Sequence, residues 1–296
     1  IGAVDALVEG EGEAACLAIV DAVEKGLDPR AQGAPNLVWR QDGVIQRTPR
    51  APRFDLREKG RLDLKLLKSP GGFDVTPYAF SRGCPFGCTF CMEESIRPRR
   101  LSVPDDLVSE DLHHLAGFSR NRTLLVSDAL FKSFHLLPLL RELGLRINFE
   151  TRCDVLDPGI LEKNADVIQA LALGFESASY ETLRRMNKLA DRDHYRGYLA
   201  GARAIFQAAD AAGIPIMVFM IAGFPGDSEE DLQATLSFAE SLAASARGSG
   251  GFLFKIGECH VYPKTKLHDL ARRLPGVAFD EDGVFGQNVV RRPSKN

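Results

Sequence analysis

The sequence predicts an α/β fold in which a parallel sheet curls into an incomplete barrel. From Thr76 onward, short apolar strands alternate with amphipathic helices, enough for about six β/α units. The polar residues of this stretch collect where the predicted strands end, which is where such a barrel keeps its chemistry. Hydrophobic residues make up 45% of the 296, enough to bury a full core and to exclude disorder as the dominant state.

The opening run from Ala3 to Val8 is apolar, ends at Gly10 and reads as a strand. The segment from Glu13 to Lys25 follows with Leu17, Val20 and Val23 at helical spacing. One strand and one helix cannot form a core, so they are either the end of a larger α/β domain or an appendage on the rest. Residues 36–40 and 44–47 are β-like runs around Asp42-Gly43, a dipeptide suited to a hairpin turn. A first segment is therefore expected over 1–47, followed by an Arg- and Pro-rich linker over 48–75. Barrel strands are expected near 76–81, 122–127, 146–151, 167–174, 214–222 and 252–261, with the clearest helices at 105–117, 193–212 and 228–246. Asp227 and Glu230 have capping-box spacing at the start of that last helix. Small residues from Ala243 to Gly251 read as a loop, the barrel is expected to end at 275, and 276–296 reads as a tail.

With 37 Lys+Arg against 40 Asp+Glu the net charge is -3, so no global positive field draws the chain to nucleic acid, and no nucleic-acid partner is expected. No apolar run approaches the ~20 residues of a membrane span, and no signal peptide opens the chain. The expectation is a soluble, cytoplasmic protein. Because residue 1 is Ile, the chain reads as a processed or trimmed product.

Six cysteines are too few and too uneven for a secreted disulfide framework, yet Cys84, Cys88 and Cys91 fall within eight residues. They form CxxxCxxC in Ser81-Arg82-Gly83-Cys84-Pro85-Phe86-Gly87-Cys88-Thr89-Phe90-Cys91, where Gly and Pro allow a loop to fold around one metal centre. Three thiolates suit a cubane iron-sulfur cluster with one iron left open. A structural zinc site is the competing reading, but it needs a fourth ligand, and His113 is far along the chain.

With Phe90 before the last cysteine, this motif resembles the radical S-adenosylmethionine (SAM) superfamily, over roughly 76–275. The resemblance implies a partial (β/α)6 TIM-like barrel in which Cys84, Cys88 and Cys91 hold a 4Fe-4S cluster and SAM chelates its open iron. One electron then splits SAM into methionine and a 5′-deoxyadenosyl radical. Val8-Glu9-Gly10-Glu11-Gly12-Glu13, the Trp39 to Gly43 hairpin, Gly174-Phe175-Glu176-Ser177 and Gly223-Phe224-Pro225-Gly226-Asp227 look like the cobalamin-dependent subclass. On that resemblance, residues 1–47 are the C-terminal remnant of a Rossmann-like cobalamin domain. The subclass element DxHxxG is not present; the nearest string, Asp111 to Ala116, lacks its glycine.

The same resemblance implies that Glu176 and Ser177 help hold SAM, that Gly223 lets the backbone approach the adenine, and that Asp128 stands near the SAM amino group. Each residue also has a local reading. Glu176 could simply start a helix, and Asp128 and Asp227 could cap one. Arg152 could pair with the SAM carboxylate, oriented by Asp154, or form an ordinary ion pair. The run Arg97 to Arg100 could hold an anion or a redox partner, or be a solvated loop. Cys259 and His260 could face substrate, or be an inert thiol and a satisfied histidine. Cys16, Cys153 and Cys259 lack the paired spacing of a second cluster.

The expected function is cobalamin-dependent C-methylation of an unactivated carbon by a radical SAM enzyme. The alternatives are methylthiolation, cyclisation or rearrangement without methyl transfer, or a zinc-binding module without catalysis. The implied cofactors are the 4Fe-4S cluster, SAM and possibly cobalamin. The implied partners are a small-molecule or natural-product substrate and an electron donor such as flavodoxin or ferredoxin.

Overall fold

The computed structural model describes residues 4–60, 63, 66, 75–97, 99–118, 121–126, 128, 131–274, 277–279 and 287–291. Ser127, Pro98, Ala3 and most of the expected tail lie outside them. The chain divides into two compact units, Ile1–Gly60 and Arg61–Asn296.

In the first unit, β1 (Leu7–Val8), α1 (Glu13–Glu24), β2 (Leu37–Gln41) and β3 (Val44–Arg47) follow in order. The expected hairpin forms, with Asp42 and Gly43 at φ 50° and 79° in the left-handed region. It is joined to the opening strand, because β1 pairs antiparallel with β2, Leu7 opposite Val38. Part of the stretch read as a linker also belongs to this unit. The Thr48 hydroxyl donates to the Ala34 carbonyl at 2.7 Å, and the Ala51 N–H donates to the Asn36 side chain at 2.8 Å. The helical spacing of α1 is as expected, but its large apolar side chains turn outward: Leu17 is 74% exposed, and the buried positions are Ala15 and Ala22.

The second unit contains β4 (Thr76–Tyr78), β5 (Ser81–Arg82), α2 (Met92–Ile96), β6 (Leu101–Ser102), α3 (Asp105–Phe118), β7 (Thr123–Val126), α4 (Leu137–Glu142), β8 (Arg146–Arg152) and α5 (Pro158–Lys163). There follow β9 (Ile168–Glu176), α6 (Tyr180–Arg185), α7 (Arg192–Ala211), β10 (Ile216–Ala222), α8 (Glu229–Ser245), β11 (Phe252–Glu258), β12 (His260–Val261), α9 (Lys266–Ala271), β13 (Val277–Phe279) and β14 (Gln287–Arg291). Strands β4, β7, β8, β9, β10 and β11 form a six-stranded sheet, neighbours in chain order and parallel throughout. Right-handed β/α crossovers that each step to the same side produce that order. Apolar side chains of the strands (Leu124, Ile147, Phe149, Leu171, Val218) and of the helices (Leu112, Leu115, Tyr198, Phe206) are buried in the core.

Three local expectations are corrected. The first barrel strand stops at Tyr78, and Ser81–Arg82 pairs instead with β6. The sixth stops at Glu258, after which His260–Val261 pairs antiparallel with β14. The capping box of α8 is Ser228 with Asp231, not Asp227 with Glu230, because the Asp227 carboxylate turns inward.

A bulge sits between β9 and β10. Gly174 faces Phe219 while Glu176 faces Met220, so Phe175 is the extra residue. Phe175 is fully buried, stacked on Phe238 and Tyr198, and Glu176 takes the left-handed conformation at φ 71°. Bulges of this kind re-aim a side chain, and here the one re-aimed is Glu176.

Candidate active site

The C-terminal strand ends and the loop after β5 enclose a cavity of about 430 Å³. Cys84, Phe86, Cys88, Phe90 and Cys91 line it from the loop, and Glu150, Thr151 and Arg152 from β8. Gly174 and Glu176 of β9, Lys188, three residues of β10 (Phe219, Met220, Ile221), and Lys255 and Gly257 of β11 complete it. The three clustered cysteines thus share a cavity with three sequence-predicted site residues, Phe90, Arg152 and Glu176.

The cysteine loop is held from behind by the residues that follow α6. The Thr89 N–H donates to the Met186 carbonyl at 3.0 Å, its hydroxyl donates to the Arg185 carbonyl at 2.9 Å, and the Asn187 amide donates to the Gly87 carbonyl at 2.8 Å. A side chain at 87 would meet the Asn187 amide nitrogen at 3.2 Å and Lys266 Nζ at 3.3 Å, so glycine there permits the close approach. The loop closes on itself where the Cys91 N–H donates to the Cys88 carbonyl at 3.1 Å. None of the cysteines is in a disulfide. Burial raises the Cys84 thiol above its ordinary value, so a metal is what would make it a thiolate.

Glu176 faces a lysine that the sequence reading missed. Lys188 Nζ donates to Glu176 Oε1 at 3.0 Å, to the Gly174 carbonyl at 2.8 Å and to the Tyr198 hydroxyl at 3.3 Å, with its side chain 2% exposed. Three acceptors satisfy the three ammonium protons, which is what lets a lysine be buried charged. Gly174 leaves room for the pair, since a Cβ there would stand 3.0 Å from Glu176 Oε1. A polar pair, Asn187-Lys188, immediately after a helix that follows a strand-end glutamate was the available signal.

Arg152 is clamped by Asp154: Nε donates to Oδ1 at 2.8 Å and Nη2 to Oδ2 at 2.6 Å. Nη2 also donates to the Lys188 carbonyl at 3.2 Å, and Nη1 donates to the Cys88 sulfur at 3.3 Å. The Phe86 ring lies 3.9 Å from its Cζ. Burial works against the guanidinium charge, but the bonds to Asp154 and its negative charge outweigh it and keep the arginine protonated. Asp154 is correspondingly held below the usual carboxylate range: burial would raise it, and Arg152 more than reverses that. Two residues before Arg152, so facing the same side, Glu150 lines the cavity; its carbonyl accepts from the Phe131 N–H at 3.1 Å, and its carboxylate makes no hydrogen bond or ion pair among the described residues. The side chain is still open to solvent, but partial desolvation in the cavity raises its pKa, and repulsion from Glu176 raises it further against the pull of Lys255.

Other predicted residues are placed elsewhere. Asp128 does not line the cavity; its carboxylate accepts from the Phe80 N–H at 2.8 Å, from the Ser81 N–H at 3.1 Å and from the Ser81 hydroxyl. It braces the turn that leads into the cysteine loop, which is neither of the roles expected of it. Burial raises its pKa despite these bonds. Ser177 turns to α8, its hydroxyl 3.0 Å from that of Thr235. Gly223 follows β10 at φ 72°, outside the cavity lining and with nothing within 4 Å of where a Cβ would be. Asp227 accepts from the Thr182 hydroxyl at 2.6 Å and from Arg185 at 2.7 Å, a structural role.

Cys259 is buried, and burial pushes its thiol up to about 12, while His260 is exposed on β12; neither lines the cavity. In the basic run, Arg97 pairs with Glu93 at 3.2 Å and Arg100 donates to Ser102 at 2.7 Å. Within the first unit, Glu9 pairs with Arg47 and, at 3.0 Å, with Arg50, and Glu11 accepts from the Phe54 N–H at 2.8 Å.

Among the described residues no three His, Cys, Asp or Glu side chains are close enough together to hold one metal ion. A zinc site would need that gathering. A cubane cluster takes its thiolates on separate irons, and the three cysteines that line this cavity supply the three protein ligands such a cluster uses. Among the described residues no helix is long and apolar enough to cross a membrane.

A radical S-adenosylmethionine methyltransferase, TsrM from Kitasatospora setae, with cobalamin and a [4Fe-4S] cluster bound, superposes with a TM-score of 0.68 at 18% identity, over 94% of this chain and 59% of that one. The same enzyme with tryptophan substrate and a SAM analog gives 0.69 at 18% identity, over 95% and 57%. These matches show the fold.

Among curated proteins, the ribosomal protein uS12 methylthiotransferase RimO of Frankia casuarinae is 30% identical over 238 residues, 74% of this chain and 42% of that protein. The tRNA-2-methylthio-N(6)-dimethylallyladenosine synthase of Mycobacterium avium is 28% identical over 225 residues, 69% of this chain and 30% of that protein. The chain therefore spans less than half the length of these relatives. The sequence profile of the Radical SAM superfamily matches residues 78–239, from β4 into α8, which is more than half of the chain and takes in the cysteine loop and Glu176. The chain belongs to the radical SAM superfamily.

Proposed function

We propose that the chain is the SAM-cleaving part of a cobalamin-dependent C-methyltransferase, with Cys84, Cys88 and Cys91 as the protein ligands of a 4Fe-4S cluster. The observation that carries this reading is the cavity that gathers the three cysteines with Glu176, Lys188, Arg152 and Glu150. When bound, the cluster would supply the electron that splits SAM to a 5′-deoxyadenosyl radical, and cobalamin would supply the methyl group. The chain's own residues bind and shield. Lys188 fixes the Glu176 carboxylate so that it meets polar groups of SAM, and Phe90, Phe219, Met220 and Ile221 keep water from the reacting atoms. The Glu150 carboxylate, without a partner, remains for a cationic or N–H group of SAM or of the substrate. The substrate class is a small molecule or natural product, the electron comes from a donor of the flavodoxin or ferredoxin class, and the oxygen-sensitive site suits the cytoplasm.

The methyl-transfer reading is supported by the likeness to a cobalamin-bound methyltransferase across nearly the whole chain. A second reading, methylthiolation, is supported by the curated relatives, which are methylthiotransferases. Anaerobic reconstitution with iron and sulfide, then SAM and a low-potential reductant with and without hydroxocobalamin, tests both. SAM cleavage by this chain is expected, with cobalamin-dependent methyl transfer only in a chain that carries the whole cobalamin domain, and both should be lost in Cys88→Ala. Turnover that ignores cobalamin but responds to added sulfide moves the choice to methylthiolation, and no iron uptake overturns both.

A further inference from the structure

The sequence leaves Arg152 either as a partner for the SAM carboxylate or in an ordinary ion pair, and in the structure its fork is already occupied by Asp154. A guanidinium has five N–H groups. Two go to Asp154, one to the Lys188 carbonyl and one to the Cys88 sulfur. The side-on edge, Nε with Nη2, faces Asp154, so that carboxylate lies away from the sulfur and Nη1 points at it. The Phe86 ring against Cζ blocks one face of the guanidinium. With side-chain exposures of 10% for Arg152 and 9% for Asp154, solvent screens this charge little.

We propose that Arg152, held side-on by Asp154, is the positioning residue that sets the reduction potential of the cluster, through a charge-assisted hydrogen bond to the Cys88 sulfur. The inference rests on the cluster assignment made above. Reduction adds one negative charge to the cluster, so a nearby cation and an N–H···S bond stabilise the reduced form more than the oxidised one and raise the potential. The second consequence is mechanical. The same guanidinium holds the Lys188 carbonyl, so the cluster loop and the Lys188–Glu176 pair are fixed to one group.

The test is redox potentiometry of the reconstituted full chain, following the electron-spin-resonance signal of the reduced cluster in wild type, Arg152→Lys and Arg152→Gln. At the wild-type midpoint, the ratio of reduced to oxidised cluster in Arg152→Gln should fall about tenfold, a downward shift of about 59 mV for a one-electron couple. Arg152→Lys, which keeps the charge but loses the fork, should fall between. A potential unchanged in both variants, each with its iron in place, overturns the proposal.

Should Arg152→Gln fail to take up iron, Arg152→Lys and a measurement on the wild type decide. Protein made with guanidino-15N arginine should show 15N coupling to the reduced cluster that is lost in Arg152→Lys. Absence of that coupling in the wild type overturns the proposal. A wild-type chain that takes up no iron and sulfide overturns the cluster assignment itself, and this inference with it.

Discussion

At Glu176 the backbone and the side chain are set by different neighbours. The bulge at Phe175 and a φ of 71° cost energy, and the ion pair with Lys188 fixes where the carboxylate ends up. Removing one partner of a buried pair strands the other charge, so Glu176→Ala is expected to cost about 3 kcal/mol in urea unfolding. Glu176→Ala combined with Lys188→Met should be less damaging than the single change, because no charge is left buried alone. SAM binding should weaken in both, and unchanged affinity in both would remove Glu176 from the SAM site. Gly223 is a different case. No atom lies within 4 Å of where its Cβ would be, so Gly223→Ala has no clash to relieve and should lose only the ~1–2 kcal/mol of a left-handed non-glycine residue. A larger loss on chemical denaturation would show that the space is not open. The identity of Glu176 was legible from its strand-end position, but Lys188 was not, because twelve residues and a helix separate the two and only folding brings them together.

Among the elements, α8 shows how sequence spacing misassigns a cap. Asp227 and Glu230 have the right separation, yet the box is Ser228 and Asp231, with the Ser228 hydroxyl accepting from the Asp231 N–H at 3.2 Å and the Asp231 carboxylate accepting from the Ser228 N–H at 2.9 Å. Asp227 instead accepts from Phe224 N–H, Thr182 and Arg185, tying the end of β10 to α6. The two residues are therefore expected to differ. Ser228→Ala should cost about 1 kcal/mol, the usual value of a lost cap. Asp227→Ala should cost about 3 kcal/mol, since it breaks a charged pair with its carboxylate side chain 3% exposed. Equal losses in urea unfolding would contradict the assignment. In the first unit, the helical period of α1 was legible, but which stripe is buried was not. Periodicity locates a stripe and cannot say that two alanines suffice to pack it.

The whole molecule carries a pH dependence through Asp154. Arg152 holds this carboxylate below its ordinary value of 3.8, so the folded state favours the charged form. Its contribution to stability is complete above that ordinary value and is lost as pH falls through the lower folded one. The stability difference between wild type and Asp154→Asn should accordingly be full at neutral pH and shrink toward zero as the pH drops below about 4. A difference that stayed constant across that range would mean that Asp154 keeps its ordinary pKa and that the clamp on Arg152 is weak.

What the sequence by itself determined is local or periodic. The six parallel strands follow from apolar runs and helical stripes in alternation, and the cysteine loop follows from CxxxCxxC with its glycines, because both depend on residues near each other along the chain. What only the tertiary structure decided is which polar ends converge. Asp128, Ser177 and Arg152 all stand at strand ends, yet Asp128 is taken by the Ser81 turn, Ser177 by Thr235, and Arg152 by Asp154 and the Cys88 sulfur. A strand-end polar group goes to whatever donor or acceptor packing brings within about 3 Å, and that partner comes from a different element, at a separation in sequence that no local pattern encodes.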